Sequence, residues 1–313
     1  MVRIGTWNLE NLFLPGGAAG PVTAADYEEK LASLAAVIVA MAPDVLGVQE
    51  VGDVTALEDL ADRAGGAWHL ETADPDTRGI RVGFLSRLPL THVQEWRRFP
   101  TRLRAIHVDD TGPAMSAMGR PALQVRVHVG GHPVDVITCH LKSKLLTFPG
   151  ERFSTDDEGE RARFASYALT RRAAEAVTVR AAATRRLGDE GSAVVVLGDL
   201  NDEPEAATTQ ILQGPTGSEI GTGGFDAPDK GDRQRLWNLA ARIPQAQRFS
   251  REYRGRRELI DHIFVSHVLV GLVPDGAVTT NDAGPVPSIT DDPNARRGKP
   301  GSDHRPVLAT IGL

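Results

Sequence analysis

The sequence predicts a mixed α/β chain folded as one domain, with packed β-sheets carrying helices on their outer faces. Three observations lead there. Short β-branched runs dominate both ends of the chain and read as buried strands. Helical stretches interrupt those runs at irregular intervals, an order that suits layered sheets with helices outside. No linker-like composition divides the chain, so residues 1–313 read as a single domain.

The first strand is Val2-Arg3-Ile4-Gly5-Thr6-Trp7-Asn8, with Asn8 at its end and Glu10 and Asn11 on the turn beyond. A Gly/Pro loop at Gly16, Gly17, Gly20 and Pro21 follows. From Asp26 the apolar residues Tyr27, Leu31, Leu34, Ala35, Ile38 and Met41 recur at helical spacing until Pro43 stops them. Asp44 to Glu50 is the next strand, again with an acid at its C-terminal end. A helix from Leu57 to Ala64 stops at Gly65-Gly66, and Ile80 to Ser86 reads as a strand introduced by Arg78-Gly79. Leu123–Val129 and Val134–Thr138 form a hairpin around Gly130-Gly131, and the second arm runs on to His140. A loop spans Thr147 to Asp157. Beyond it a long Ala/Arg-rich helix runs from Glu160 to Leu187, its arginines a solvated face with Arg172 the exception to watch.

Val194-Val195-Val196-Leu197 is a buried strand broken at Gly198, after which Asp199 and Asn201 sit two apart and face the same side if the chain stays extended. A helix from Glu205 to Leu212 and a Gly/Asp/Pro-rich loop over 214–234 follow. Leu259 to Val265 is a strand carrying Asp261 inside its apolar run, and Pro274 to Pro300 is loop-like. The chain ends with Ser302-Asp303-His304-Arg305-Pro306 and a last strand, Val307 to Ile311.

Composition sets limits. The chain is 41% hydrophobic and 24% charged, ordinary for a globular protein with a substantial core. A net charge of −6 argues against nonspecific nucleic-acid binding driven by whole-protein charge, but leaves room for a locally basic groove. The single cysteine, Cys139, excludes an internal disulfide and a Cys-based zinc site. No targeting segment is visible and the apolar run Leu31–Met41 is too short to span a bilayer, so a soluble cytoplasmic protein is expected.

The polar residues at strand ends are Asn8, Glu50, His140, Asp199, Asn201, Asp261, Asp303 and His304. Each has a plain alternative: Asp199 and Asn201 suit a turn, and Glu50 could cap the helix that follows. Together they supply oxygen ligands without thiolates, which suits Mg²⁺ or Mn²⁺, and two histidines beside acids, which suits proton transfer near neutral pH. Asp261 in an apolar strand demands a partner, and His304 is the candidate. Lys142, Lys144 and Arg78 can neutralise phosphate charge. The simplest joint use is metal-assisted hydrolysis of a phosphate ester by an activated water.

Six blocks carry a family resemblance: Gly5–Phe13, Pro43–Glu50, His140–Lys144, Gly198–Asn201, Ile260–Ile263 and Gly301–Pro306. In this order they resemble the motifs of the endonuclease/exonuclease/phosphatase, or DNase I-like, superfamily. The resemblance implies a four-layer α/β/β/α sandwich of two mostly antiparallel sheets with the site at one end. It implies that Asn8 and Glu50 hold the metal, with Asp303 as a further ligand or a group just outside the ligands, and that Asp199 positions or deprotonates the water while Asn201 orients it and the phosphate. It further implies that His304, held by Asp261, contacts the phosphate or acts as base, while His140 bonds a phosphate oxygen or assists the leaving group. Where many members carry Glu, Tyr or Asn, this chain has Arg78-Gly79-Ile80-Arg81, which suggests an arginine on the phosphate instead; Arg120 is a second such candidate. The expected substrate is nucleic acid, with a small phosphate ester as the alternative and a non-catalytic binding protein as a remote third.

Overall fold

The computed structural model describes residues 1–17, 19–150, 152–188, 192–214, 216–280, 286–292 and 295–313. In chain order the main elements are β1 (Val2–Leu12), α1 (Ala24–Met41), β2 (Val45–Val51), α2 (Val54–Ala64), β3 (His69–Thr72), β4 (Arg81–Ser86), β5 (Thr91–Arg98), β6 (Ala117–Val129), β7 (His132–His140) and α3 (Glu158–Leu187). They continue with β8 (Val194–Asp199), α4 (Ala207–Gln213), β9 (Leu236–Asn238), β10 (Arg251–Tyr253), β11 (Arg256–Glu258), β12 (Asp261–Ser266), α5 (His267–Val270), β13 (Val278–Thr280), β14 (Ser288–Ile289) and β15 (Val307–Ile311).

Two six-stranded sheets, ordered β13-β15-β1-β2-β4-β3 and β5-β6-β7-β8-β12-β9, face one another. Each is antiparallel except for one pair, β1/β2 in the first and β7/β8 in the second. Each parallel pair is joined by a crossover through a helix, α1 in one sheet and α3 in the other, as a parallel connection requires. Side-chain alternation then sorts the residues. Val2 and Ile4 of β1 join Phe84, Val195 and Ile263 between the sheets. Trp7 and Leu9 pack outward against α1 and α2, and Ile137, Cys139, Val194 and Val196 pack outward against α3. Three apolar layers separate four structural ones, which is the expected α/β/β/α sandwich.

Local signals explain the helix ends. Thr23 caps α1 by accepting from the Asp26 N–H, while the Asp26 carboxylate accepts from the Thr23 N–H. Ala42, in the left-handed region, donates back to Ile38 and ends the helix before Pro43. Asp157 caps α3 through the N–H groups of Gly159 and Glu160.

Several strands lie where the sequence shows none. β3 and β5 are sheet edges, and β5 (Thr91–Arg98) faces solvent for much of its length, so it lacks the apolar alternation that marks a half-buried strand. β6 begins earlier than the hairpin pattern suggests and tolerates Pro121, because pairing with β5 slips between Trp96 and Arg98 and releases the ladder there. Asp261 is the first residue of β12, not an interior one: the Ser250 hydroxyl takes the N–H groups of both Ile260 and Asp261 and sets the turn into the strand. Of the expected 274–300 loop, residues 281–285 and 293–294 lie outside the described residues, and the rest includes the short strands β13 and β14.

Under the site the two sheets touch through polar atoms. Gln49 of β2 donates to Thr6 at 3.1 Å and to Thr138 of β7 at 3.0 Å, so a buried amide fixes one parallel pair against the other. Among the described residues, no helix is long and apolar enough to cross a membrane.

Candidate active site

The C-terminal ends of both parallel pairs converge at one end of the sandwich, in a cleft of about 500 Å³. Asn8, Glu50, His140 and Asp199 come from the four strands of those pairs. β12 runs antiparallel to β8 and places Asp261 opposite Asp199. The Ser302–Arg305 segment is drawn in from the chain's far end. Ser302 donates to the Asn8 carbonyl at 2.7 Å, Trp7 donates its indole N–H to the His304 carbonyl at 2.9 Å, and Lys30 holds the Gly301 carbonyl at 2.8 Å.

Asp199 is the hub. Its Oδ2 accepts from Asn8 Nδ2 at 3.0 Å and lies 3.4 Å from His140 Nε2 and 4.0 Å from His304 Nε2. Its Oδ1 accepts the Asn201 N–H at 2.8 Å. That last bond needs Asn201 in the left-handed region, φ 54°, which asparagine tolerates better than most residues. The Asn201 amide nitrogen donates to the Leu141 carbonyl at 3.1 Å and ties the ends of β7 and β8 together.

Glycines make the convergence possible. Gly198 has φ 145°, and a Cβ there would lie 2.0 Å from the Cys139 carbonyl oxygen. Only the bare backbone brings Asp199 alongside His140.

Electrostatics differ between the two histidines. His304 Nδ1 is 2.7 Å from Asp261 Oδ2. Burial alone would lower its pKa, but the carboxylates of Asp261, Asp303 and Asp199 outweigh that and hold it up at about 10. His304 is therefore an imidazolium at neutral pH. His140 is equally buried and shifts the other way: desolvation first, then the positive charges of Arg120, His304, Arg78 and Lys142, keep it neutral. Asp199 is pushed up to about 7 by burial and by Asp261.

The oxygen-rich side lies around Glu50. Its Oε1 accepts from Asn8 Nδ2 at 3.1 Å and its Oε2 from the Asn11 N–H at 3.0 Å. Asp303 faces the same cleft. Asn8 itself is turned differently from a ligand: its Oδ1 accepts the Glu10 N–H at 2.9 Å while its nitrogen bridges the carboxylates of Glu50 and Asp199. It holds two acids together where a cation would otherwise do so.

Glu10 is the residue that sequence reasoning missed. It is buried, paired with Arg296 at 2.8 Å, and leaves Oε2 without a partner. Burial and the nearby Asp303 raise its pKa to about 7. The spacing rule that singled out Asp199 and Asn201, applied to Asn8, would have found it. Arg296 gives no comparable signal, being loop sequence far along the chain.

A buried group of Asp199, Asp261 and His304, whose ligating atoms all lie within 4.8 Å of one another, could hold a metal ion. Two of its atoms, on Asp261 and His304, already satisfy each other. The orphaned Glu10 oxygen beside Glu50 and Asp303 fits a hard cation at least as well.

Arg78 and Arg120 both line the cleft. Arg120 donates to the His140 and Leu141 carbonyls, each at 3.3 Å, and pairs with Asp76 at 3.4 Å, so it is anchored behind His140. Lys142 does not line the cleft as expected. Its ammonium turns into its own loop, donating to the carbonyls of Ser143 and Leu145, and burial beside Arg171 and Arg120 lowers its pKa to about 8. Lys144 faces the cleft in its place, 3.4 Å from Asp202.

Residues 5–304 match the Endonuclease/Exonuclease/phosphatase family, and the chain belongs to that family of phosphoester hydrolases. Solved structures agree on the fold. Truncated TDP2 from Caenorhabditis elegans is 16% identical with a TM-score of 0.59, covering 99% of this chain and 96% of that one. The mannosyl-6-phosphatase Bt3783 of Bacteroides thetaiotaomicron is 12% identical with a TM-score of 0.61, covering all of both chains. The human Nocturnin catalytic domain with bound sulfate is 14% identical with a TM-score of 0.52, covering 98% of this chain and 93% of that one. No curated protein sequence matches the chain.

Proposed function

We propose that this protein is a divalent-metal-dependent phosphodiesterase acting on nucleic acid. The observation that carries the reading is the position of Asp199. One carboxylate oxygen faces an amide donor, a neutral histidine and an imidazolium within 4.0 Å, on the wall of the cleft. An acid held near pKa 7 exists in part as carboxylate at neutral pH and can accept a proton from an attacking water. His304, kept cationic by Asp261, offers its Nε2–H to a non-bridging phosphate oxygen and offsets charge that grows during attack. His140, neutral with Nε2 towards Asp199, is suited to donate a hydrogen bond to a phosphate oxygen. Asn201 orients the Asp199 carboxylate through its own N–H. A cation held by Glu50 and Asp303, with Glu10 beside them, would neutralise phosphate charge and acidify a bound water.

Arginines on the cleft wall, Arg78 and Arg120 among them, and the aromatic side chains of Phe153 and Tyr253 support a nucleotide as the bound unit. The cleft volume supports a second reading, hydrolysis of a small phosphate ester, since about 500 Å³ is the size of a small-molecule site.

One panel separates these readings. Plasmid, single-stranded DNA, RNA, abasic-site duplex, sphingomyelin and inositol phosphates are incubated with Mg²⁺, with Mn²⁺ and with EDTA. At least one nucleic acid should be cleaved, and EDTA should abolish the cleavage. Turnover of a soluble monoester alone would overturn the nuclease reading in favour of the small substrate.

A further inference from the structure

Residues 97–107 contain Arg97, Arg98, Arg102 and Arg104 and no acid, in a chain with 41 acidic and 35 basic residues. A run of like charge in an acidic protein adds repulsion without helping solubility, so its placement matters. β5 ends at Arg98 opposite Ala117, the first residue of β6. Three residues on, roughly 10 Å along the strand, Arg120 lines the cleft beside His140. The 99–116 excursion thus sits at the active-site end of the second sheet, on its open edge.

The excursion is ordered although it has no helix. Phe99 donates to the Ser116 carbonyl at 3.0 Å, and Ile106 and Met115 exchange N–H bonds at 2.9 and 2.8 Å. Asp110 reaches the first third of α3, pairing with Arg163 at 2.7 Å and accepting from Tyr167 at 3.0 Å. The acids of the excursion are turned to α3 or to their own turn, while Arg98, Arg102 and Arg104 are exposed and have no ion-pair or hydrogen-bond partner among the described residues. A long connection without regular structure, held in shape and aiming unpaired cations at solvent beside an active site, is built for an anionic partner.

The geometry points to this excursion as a backbone-binding track for a single nucleic-acid strand. The scissile phosphate lies in the cleft, and the phosphates on one flank run over Arg98, Arg102 and Arg104. The inference rests on the nuclease reading above and narrows it. A cleft of about 500 Å³ takes a unit of small-molecule size, so added affinity for a longer strand has to come from outside it, and the excursion is a cationic surface adjoining Arg120. The track touches phosphates and not bases, so it confers preference for length without preference for sequence.

The test compares wild type with the Arg98→Ala/Arg102→Ala/Arg104→Ala variant on bis-p-nitrophenyl phosphate and on a single-stranded DNA 20-mer. The expected result is unchanged turnover of the small ester, with kcat/KM on the 20-mer reduced by about tenfold or more. The slope of log kcat/KM against log salt should flatten by up to about 2, at roughly 0.7 for each phosphate that the variant no longer neutralises. The triple Arg→Lys variant should retain most of the 20-mer activity, since a phosphate track needs charge more than a planar fork. Equal activity and salt slope for wild type and the alanine variant on the 20-mer would overturn the track while leaving the nuclease reading intact. A wild type that hydrolyses the small ester but cleaves neither the DNA 20-mer nor an RNA 20-mer would overturn both. Loss of phosphatidylserine-vesicle binding in the alanine variant, with the 20-mer unaffected, would reassign the excursion to a membrane surface.

Discussion

The parallel strand pairs of the two large sheets reach the same cleft by different means. β7/β8 is built by close packing: Gly198 brings the strands together, and His140 and Asp199 end up almost wholly buried. β1/β2 is built by hydrogen bonding across strained turns, with Glu10, Asn11 and Glu50 at φ 51°, 53° and 60°, and the Glu50 side chain remains 21% exposed. In the proposed mechanism the buried pair handles protons, because desolvation brings Asp199 near neutrality and keeps His140 uncharged. The open pair gathers oxygen atoms that a hydrated cation can reach. On that proposal β7/β8 supplies acid–base groups and β1/β2 a place for positive charge, Asn8 joins them, and His304 enters from the segment before β15.

If that division holds, damage to the buried groups around Asp199 should be the more severe. Asp199→Asn and His304→Ala should each lower Mg²⁺-dependent turnover of bis-p-nitrophenyl phosphate by about 10³-fold or more. Circular dichroism should remain that of the wild type. Near-normal turnover in either variant would remove that residue from the mechanism. Next in size is Gly198→Ala. Its new Cβ meets backbone that cannot give way, and φ 145° disfavours any side chain, so a loss of about 2–4 kcal/mol in stability is expected. Gly47→Ala is the milder comparison: its Cβ would press on the Leu197 and Thr138 side chains between the sheets and not on backbone. A Gly198→Ala protein as stable as wild type would show that strand proximity does not depend on this glycine.

Damage on the open side should be milder and should show in the metal. Glu50→Gln keeps one acceptor, for Asn8 or Asn11 but not for both, and removes a negative charge. The Mg²⁺ concentration for half-maximal activity should rise by about tenfold or more, with less change in turnover at saturating metal. A variant that loses turnover at every metal concentration would place Glu50 with Asp199, and the division between the pairs would fail.

Much of this was legible because chemistry at strand ends leaves a pattern: an apolar run, then a polar residue and a turn. Asn8, Glu50, His140 and Asp199 all follow it, and the four-layer fold and the pairing of Asp261 with His304 were legible too. The pattern fades where burial is one-sided or absent. β5 carries Gln94, Glu95, Arg97 and Arg98 on an exposed edge and has no apolar face to betray it. Lys142 shows another limit: a lysine beside a motif histidine can turn into its own loop, and whether it does depends on loop carbonyls that sequence does not place. Arg296 reaches Glu10 across 286 residues of chain, and only the fold brings them together.

The finest distinction between the pairs is electrostatic and appears in the protein stripped of metal with EDTA. Asp199 is held at about 7 and His304 at about 10, both above their unfolded values of roughly 3.9 and 6.5. A group raised on folding binds its proton more tightly in the native state. Its stabilising contribution is full below the unfolded value and is lost as pH rises through the folded one. Other groups titrate in the same range, among them Lys142, which is lowered to about 8, so differences between proteins report the two sites most directly. Measured by urea unfolding, the advantage of wild type over His304→Gln should shrink steadily from about pH 7 to pH 10. Asp199→Asn should gain on wild type between about pH 4 and pH 7 and keep that gain above, because it removes a buried charge facing Asp261. Each unit of pKa shift corresponds to about 1.4 kcal/mol, so a single unit at either site is measurable. A pH-independent difference for His304→Gln would mean that Asp261 does not hold His304 as a cation, and the phosphate-facing role of the imidazolium would fall with it.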